Sequence, residues 1–175
     1  LVSSIEPRLA EVRYGDWTGK PLKDLVKQPL WRVVQAHPSA AVFPGAEGEA
    51  LAGAQSRAVS AVREWDARIA ASAGPDAVWL ACSHGDIIKA ILADALGLHL
   101  DLFQRIVVDP CSVSVVRYTD TRPFVLRVND TGGDVAALVR LARLGHHQRR
   151  ARHRLDAARD EEVGVARRHR ARPVD

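Results

Sequence analysis

An α/β layer fold is what this sequence predicts, on three observations. A long amphipathic helix is written between Glu49 and Ala73. A short and almost wholly apolar run, Ala77 to Cys82, leads through a turn into a second amphipathic helix. Two further strand-like runs near residues 113–128 are joined by a tight turn. The 175 residues suffice for one globular core and fall short of two.

The first helix rests on Leu51, Ala54, Ala58, Val62, Trp65 and Ile69, which recur every three to four positions and so share one face; Gly74-Pro75 ends it. The run Ala77-Val78-Trp79-Leu80-Ala81-Cys82 carries no polar side chain, the pattern of a central strand buried on both faces. Ser83-His84-Gly85-Asp86 then turns into a helix marked by Ile87, Ile88, Ile91, Leu92, Ala95 and Leu96, with Gly97 as its left-handed cap. Val113–Tyr118 and Phe124–Val128 alternate as strands and are joined through Thr119–Pro123 as a hairpin, and 129–134 reads as a loop.

Charge divides the chain in two. Residues 1–139 hold 14 Lys and Arg against 16 Asp and Glu, whereas residues 140–175 hold 11 Arg, no Lys, 5 acids and four of the seven histidines. The net charge of +4 therefore resides in the tail. That tail contains no aromatic residue to stack on a base, so nucleic acid is not the expected partner, and any binding would be weak and unspecific. Its Ala/Arg/His bias is also what a GC-rich gene gives when read out of frame, the reading preferred here, and the tail is expected to be disordered. His146, His147 and His153 lie among arginines that would repel a cation, which argues against a metal site there. Cys82 and Cys111 have neither zinc-type spacing nor an obvious disulfide role. No apolar run approaches the roughly 20 residues of a membrane-spanning helix, and the first residues lack a secretory pattern, so a soluble cytoplasmic protein is expected.

Three segments could carry chemistry. His84 lies where a strand meets a helix N-terminus, a place suited to holding an anion between an imidazole and free backbone amides, although a satisfied buried histidine would explain it equally well. Glu11 lies in Arg8-Leu9-Ala10-Glu11-Val12-Arg13-Tyr14-Gly15-Asp16-Trp17-Thr18-Gly19, a run without helical or strand period that reads as an ordered loop; pairing of Glu11 with Arg8 or Arg13 at the surface is the plain alternative. Phe43-Pro44-Gly45-Ala46-Glu47-Gly48-Glu49 places carboxylates just ahead of the long helix, where its dipole favours them, and Glu47 could also help close a site. Asp86 could cap its helix or touch a ligand.

In this order the three segments resemble the histidine phosphatase superfamily, the phosphoglycerate-mutase-like proteins. Leu9–Gly19 resembles the family's acid-bearing loop, Phe43–Glu47 its Pro-Gly-Gly-Glu segment with Ala46 in place of a glycine, and Ser83-His84-Gly85 its second-histidine motif. The likeness covers residues 5–135. Trp31–Pro38 and 128–134 further resemble an actinobacterial branch of phosphoglycerate-mutase-like proteins.

The resemblance implies a three-layer α/β/α fold and phosphoryl transfer through a phosphohistidine, with no cofactor. Under it His84 and the helix beginning at Gly85 would steady a phosphoryl group, Glu11 would protonate the leaving oxygen, and Arg13 and Glu47 would border the substrate, a small phosphorylated metabolite. The family's nucleophile lies in an Arg-His-Gly motif on its first strand, and these 175 residues contain no Arg-His-Gly. The expectation is therefore a chain, 1–139, that lacks the family's N-terminal strand and helix and is inactive as it stands, with sheet edges left open to aggregation. Two rival readings are a non-catalytic phospho-ligand-binding pseudo-phosphatase and a nucleic-acid-associated protein acting through the tail.

Overall fold

The computed structural model describes residues 3–132. The basic tail, with His146, His147 and His153, lies outside the described residues. In chain order the elements are α1 (Leu22–Leu25), α2 (Pro29–Ala36), α3 (Leu51–Ala73), α4 (Gly85–Ala95) and an antiparallel hairpin of β1 (Val113–Arg117) and β2 (Phe124–Asp130). Short 3-10 turns stand at Pro7–Leu9, Gly15–Trp17, Pro38–Ala40 and Leu100–Arg105. Among the described residues no helix is long and apolar enough to cross a membrane.

Helix α3 follows the expected periodicity and ends where expected, at Gly74 with φ +96°. Its buried face is Leu51, Ala54, Ala58, Ala61 and Val62. Small residues at spacings of three and four let α4 approach closely, and Ile87, Ala90, Leu92 and Ala93 fill the seam from the other side. Polar contacts pin the pair at its edges: Gln55 Nε2 donates to the Ala90 carbonyl at 3.0 Å, and Arg63 meets Asp94 at 2.8 Å. Beneath α4, the turn Leu100–Arg105 contributes Leu100 and the fully buried Phe103.

Gly97 performs its expected role. At φ +68° it lets the Gly97 N–H reach the Asp94 carbonyl at 3.0 Å and the Leu98 N–H reach that of Ala93 at 2.9 Å, a paired closure of the helix end.

The expected strand 77–82 is the main correction. Ala77–Cys82 pairs with no strand among the described residues, and Val78 and Leu80 are 84% and 76% exposed rather than buried. An apolar run becomes a buried strand only where neighbouring backbones accept its ladder bonds and neighbouring side chains cover both faces, and here neither condition is met. Only Trp79 turns inward, its indole N–H donating to Asp66 Oδ1 at 3.2 Å. Cys82 lies in this unpaired run and Cys111 in a turn at φ +63°, so neither thiol occupies a strand.

The hairpin forms as read, but β2 runs on to Asp130 and takes in Asn129, which the sequence had suggested for a loop. Asn129 adopts φ +56°, shifts the strand register, and exchanges two 2.7 Å hydrogen bonds with Asp109. Asparagine tolerates this left-handed conformation better than other non-glycine residues, which lets a strand carry an irregularity there.

Candidate active site

The loop that bears Glu11 is built on aromatic packing. Tyr14 meets Phe43 edge to face at 5.0 Å, Trp17 meets Phe43 at 5.5 Å, and Trp17 stacks on Trp31 at 6.3 Å. These contacts seat residues 11–17 on segment 42–50, and backbone bonds close the join: Asp16 N–H to the Pro44 carbonyl at 2.8 Å and Glu49 N–H to the Arg13 carbonyl at 3.0 Å. Gly15, at φ +53°, sits so close to Pro44 that a Cβ would overlap its carbonyl oxygen. The loop is ordered, as expected, because two chain segments share one set of rings.

Ser83 brings the second-histidine turn to this loop. Its hydroxyl donates to the Leu9 carbonyl at 2.7 Å, so residues 83–86 abut residues 9–11. His84 is exposed at the N-cap of α4 in an extended conformation and makes no side-chain capping bond. The first intrahelical bond runs from Ile88 N–H to the His84 carbonyl at 2.9 Å, so the amides of Gly85, Asp86 and Ile87 have no acceptor within the helix.

Glu11 is half-buried, and its carboxyl accepts the Val12 N–H at 2.9 Å. Burial raises its pKa, the negative charge of Asp86 raises it further, and the Val12 bond, His84 and Lys89 oppose the rise without cancelling it. The Ser83–Leu9 bond at 2.7 Å and the Tyr14–Asp86 bond at 3.0 Å, on either side of Glu11 in sequence, put its loop beside the α4 N-terminus. The surface pairings open to Glu11 in the sequence do not form: Arg8 binds Glu6 and Glu64 at 2.8–2.9 Å, and Arg13 leans toward Glu49 at 3.7 Å.

Asp86 neither caps α4 through its side chain nor stands free. One oxygen accepts from the Tyr14 hydroxyl at 3.0 Å and the other pairs with Lys89 at 2.7 Å. Lys89 in turn donates to Gln104 at 3.0 Å and lies 4.8 Å from the centre of the Phe103 ring.

Arg13 is mostly exposed, Gly85 is the first residue of α4, and Glu47 stays exposed in the turn between Pro44 and Gly48. The expected set of five therefore divides. His84 and Gly85 open α4, Glu11 lies in the loop that the Ser83–Leu9 and Tyr14–Asp86 bonds join to that turn, Arg13 stands on the same loop, and Glu47 is exposed on a separate turn. An open cleft of about 200 Å³ flanks the loop, lined by Pro7, Arg8, Ala10, Glu11, Arg13 and Arg57. His37 and His99 lie elsewhere, both near Asp101, at 3.8 and 3.3 Å.

Two residues that the sequence did not single out organise this region. Glu49, 9% exposed, takes a 2.6 Å bond to one carboxylate oxygen and a 3.1 Å bond to the other from Arg57, and its first oxygen also accepts the Arg13 N–H at 2.9 Å. Burial works against its ionised form, but these donors outweigh it and leave its pKa below the ordinary value. A signal was present in the sequence. Arg57 lies three positions after Ala54 and four before Ala61, a charge on the flank of an otherwise apolar helix face.

An acid loop, an aromatic-clasped turn and an imidazole at a helix N-terminus, set among helices with a small sheet, match an α/β fold of the phosphoglycerate-mutase-like type. The chain belongs to the histidine phosphatase superfamily, branch 1, whose family model matches residues 2–131. Among solved structures it is similar to Bacillus stearothermophilus YhfR, at 22% identity and a TM-score of 0.61 over 73% of this chain and 61% of that one. It is also similar to mycobacterial hydrolase 2, at 20% identity and 0.63 over 82% and 66%. A third likeness is to the mycobacterial glucosyl-3-phosphoglycerate phosphatase Rv2419c solved with inorganic phosphate, at 19% identity and 0.55 over 75% and 66%. At such identities the likeness establishes the fold. The chain spans between about three fifths and two thirds of the length of these proteins. No curated protein matches it in sequence.

Proposed function

We propose that these residues form the phosphate-binding and proton-donating part of a histidine phosphatase centre acting on a small phosphorylated metabolite. The reaction is hydrolysis of a phosphomonoester, or transfer of its phosphoryl group to a second hydroxyl. The observation that carries this reading is the 2.7 Å bond from Ser83 to the Leu9 carbonyl, which sets the open N-terminus of α4 and its His84 against the loop that bears Glu11.

An anionic phosphoryl group fits against amides without intrahelical acceptors, at the positive end of an eleven-residue helix, with an imidazole beside it. As a nucleophile attacks phosphorus and the ester P–O bond breaks, negative charge grows on the nonbridging oxygens, where His84 and these amides act most strongly. The departing alkoxide takes a proton from Glu11, whose raised pKa keeps the proton available at higher pH than an ordinary carboxyl would. The Glu11 carboxylate then removes a proton from the water that attacks the phosphoenzyme. The attacking group of the family is the histidine of Arg-His-Gly, which this sequence does not contain, so the 175 residues bind phosphate and do not turn over an ester.

Titration of the chain with inorganic phosphate, followed by amide NMR, tests this. The amides of Gly85, Asp86 and Ile87 are expected to shift in a saturable way, with affinity at least about tenfold weaker in His84→Ala, the loss of one charge-assisted contact. Binding indifferent to His84→Ala would overturn the site. Turnover of a generic phosphomonoester, abolished by His84→Ala, would overturn the statement that the attacking group is absent.

A further inference from the structure

The Arg57 guanidinium uses every N–H it has. Its Nη1 donates to the carbonyls of Arg8 at 2.6 Å and Ala10 at 2.9 Å, and its Nη2 donates to the Glu11 carbonyl at 3.1 Å. The other two bonds go to Glu49, from Nη2 at 2.6 Å and from Nε at 3.1 Å. Five donors in a rigid plane thus serve three backbone carbonyls on one side and a carboxylate on the other. Glu49 completes the clasp by accepting the Arg13 N–H at 2.9 Å, so residues 8, 10, 11 and 13 are all fixed by one ion pair.

Nothing in secondary structure would hold these residues otherwise. Residues 10–13 carry no helix or strand, and only the short turn Pro7–Leu9 precedes them. Arg57 supplies donors to these carbonyls from α3, the longest helix among the described residues. The Glu49 pairing has a second effect. By taking Nε and Nη2 together in a bidentate pair it removes the side chain's freedom to turn, so the three remaining N–H vectors point in fixed directions.

We propose that Arg57, oriented by Glu49, is the positioning residue of the Glu11 carboxyl: it fixes the backbone from which the proton donor projects and touches no reacting atom. The inference rests on the reading of Glu11 as that donor. The charges acting on the Glu11 carboxyl come from Asp86, His84 and Lys89, whereas Arg57 reaches it through the main chain. This separates positioning from electrostatics. Loss of a nearby cation would raise the Glu11 midpoint, whereas loss of a backbone clasp lets the side chain move into water and lowers it toward an ordinary carboxyl.

The test is a carboxyl ¹³C NMR titration of Glu11 in the full 175-residue chain, with Arg57→Lys, Glu49→Gln and, as a control in the middle of α3, Arg63→Ala. Lysine keeps the charge but cannot serve three carbonyls and a bidentate partner together. The expected result is a lower Glu11 midpoint in Arg57→Lys and Glu49→Gln, and an unchanged one in Arg63→Ala, which breaks only the pair with Asp94. A midpoint that stays or rises in Arg57→Lys overturns the proposal, as does an equal fall in Arg63→Ala, which would mean general loosening. If Arg57→Lys fails to fold, Glu49→Gln decides by the same criterion. Phosphate titration of the same samples reads the functional assignment separately: absent phosphate binding with a lowered midpoint refutes the phosphatase reading and leaves the positioning role standing.

Discussion

The hydroxyl of Tyr14 donates to Asp86 Oδ2 at 3.0 Å and so ties the acid-bearing loop to the first turn of α4 across 72 positions of sequence. The contact has two sides. The charge of Asp86 helps to raise the Glu11 pKa, and the partly buried Tyr14 phenol has its own pKa raised by burial and by that same carboxylate, which keeps it a donor. Lys89, 2.7 Å from the other Asp86 oxygen, holds that carboxylate in place.

Asp86→Asn should therefore lower the Glu11 midpoint, because removing a neighbouring negative charge makes it easier to ionise a carboxyl. Tyr14→Phe should cost about 1 kcal/mol of stability, the worth of one partly buried hydrogen bond. Carboxyl NMR titration measures the first and urea unfolding the second. An upward move of Glu11 in Asp86→Asn would contradict the arrangement.

The Glu49–Arg57 pair should make the fold acid-sensitive. Glu49 has a lowered pKa in the folded chain, so its contribution is present above its unfolded value of 4.5 and is lost as pH falls through the lower folded value. Chemical unfolding measured from neutral pH down into the acid range should show this decline, and Glu49→Gln should flatten it. At neutral pH the same substitution should cost about 1.5–3 kcal/mol, the worth of hydrogen bonds to a charged group.

The seam beneath α4 should tolerate little change. Phe103 is fully buried, and Phe103→Ala should destabilise by about 3–5 kcal/mol through lost transfer energy and an unfilled cavity. Gly97→Ala should cost about 1 kcal/mol, because alanine resists the φ of +68° that closes α4. Both are read from unfolding midpoints with an unchanged denaturant slope.

Val78 and Leu80 should govern solubility. Both expose most of their surface on a run that no strand covers among the described residues, an arrangement that invites edge-to-edge association. Val78→Lys and Leu80→Lys should reduce concentration-dependent light scattering without lowering the melting temperature. A drop in melting temperature would mean that these side chains are packed in solution.

By itself the sequence determined the elements whose causes are local. The α3 and α4 faces follow from apolar spacing, their ends from Gly74 and Gly97, and the hairpin from two alternating runs around a turn. It also marked Glu11 and His84 as candidates, Glu11 in an aperiodic loop with charges beside glycines and His84 where a helix begins, and left their plainer readings open. The tertiary structure decided what depended on partners distant in the chain. Ala77–Cys82 had the composition of a buried strand, but burial is a property of neighbours, and here the run remains unpaired. Whether Glu11 met Arg8, Arg13 or His84 was likewise undecided, since charges at similar separations in sequence compete until packing sets their distances in space. Arg57 and Glu49 were legible only as an odd charge on a helix flank and one acid among several. They became the clasp of the site when α3 and the loop from Arg8 to Arg13 were brought side by side, because a guanidinium's hydrogen bonds are short and directional and act only once both ends are in place.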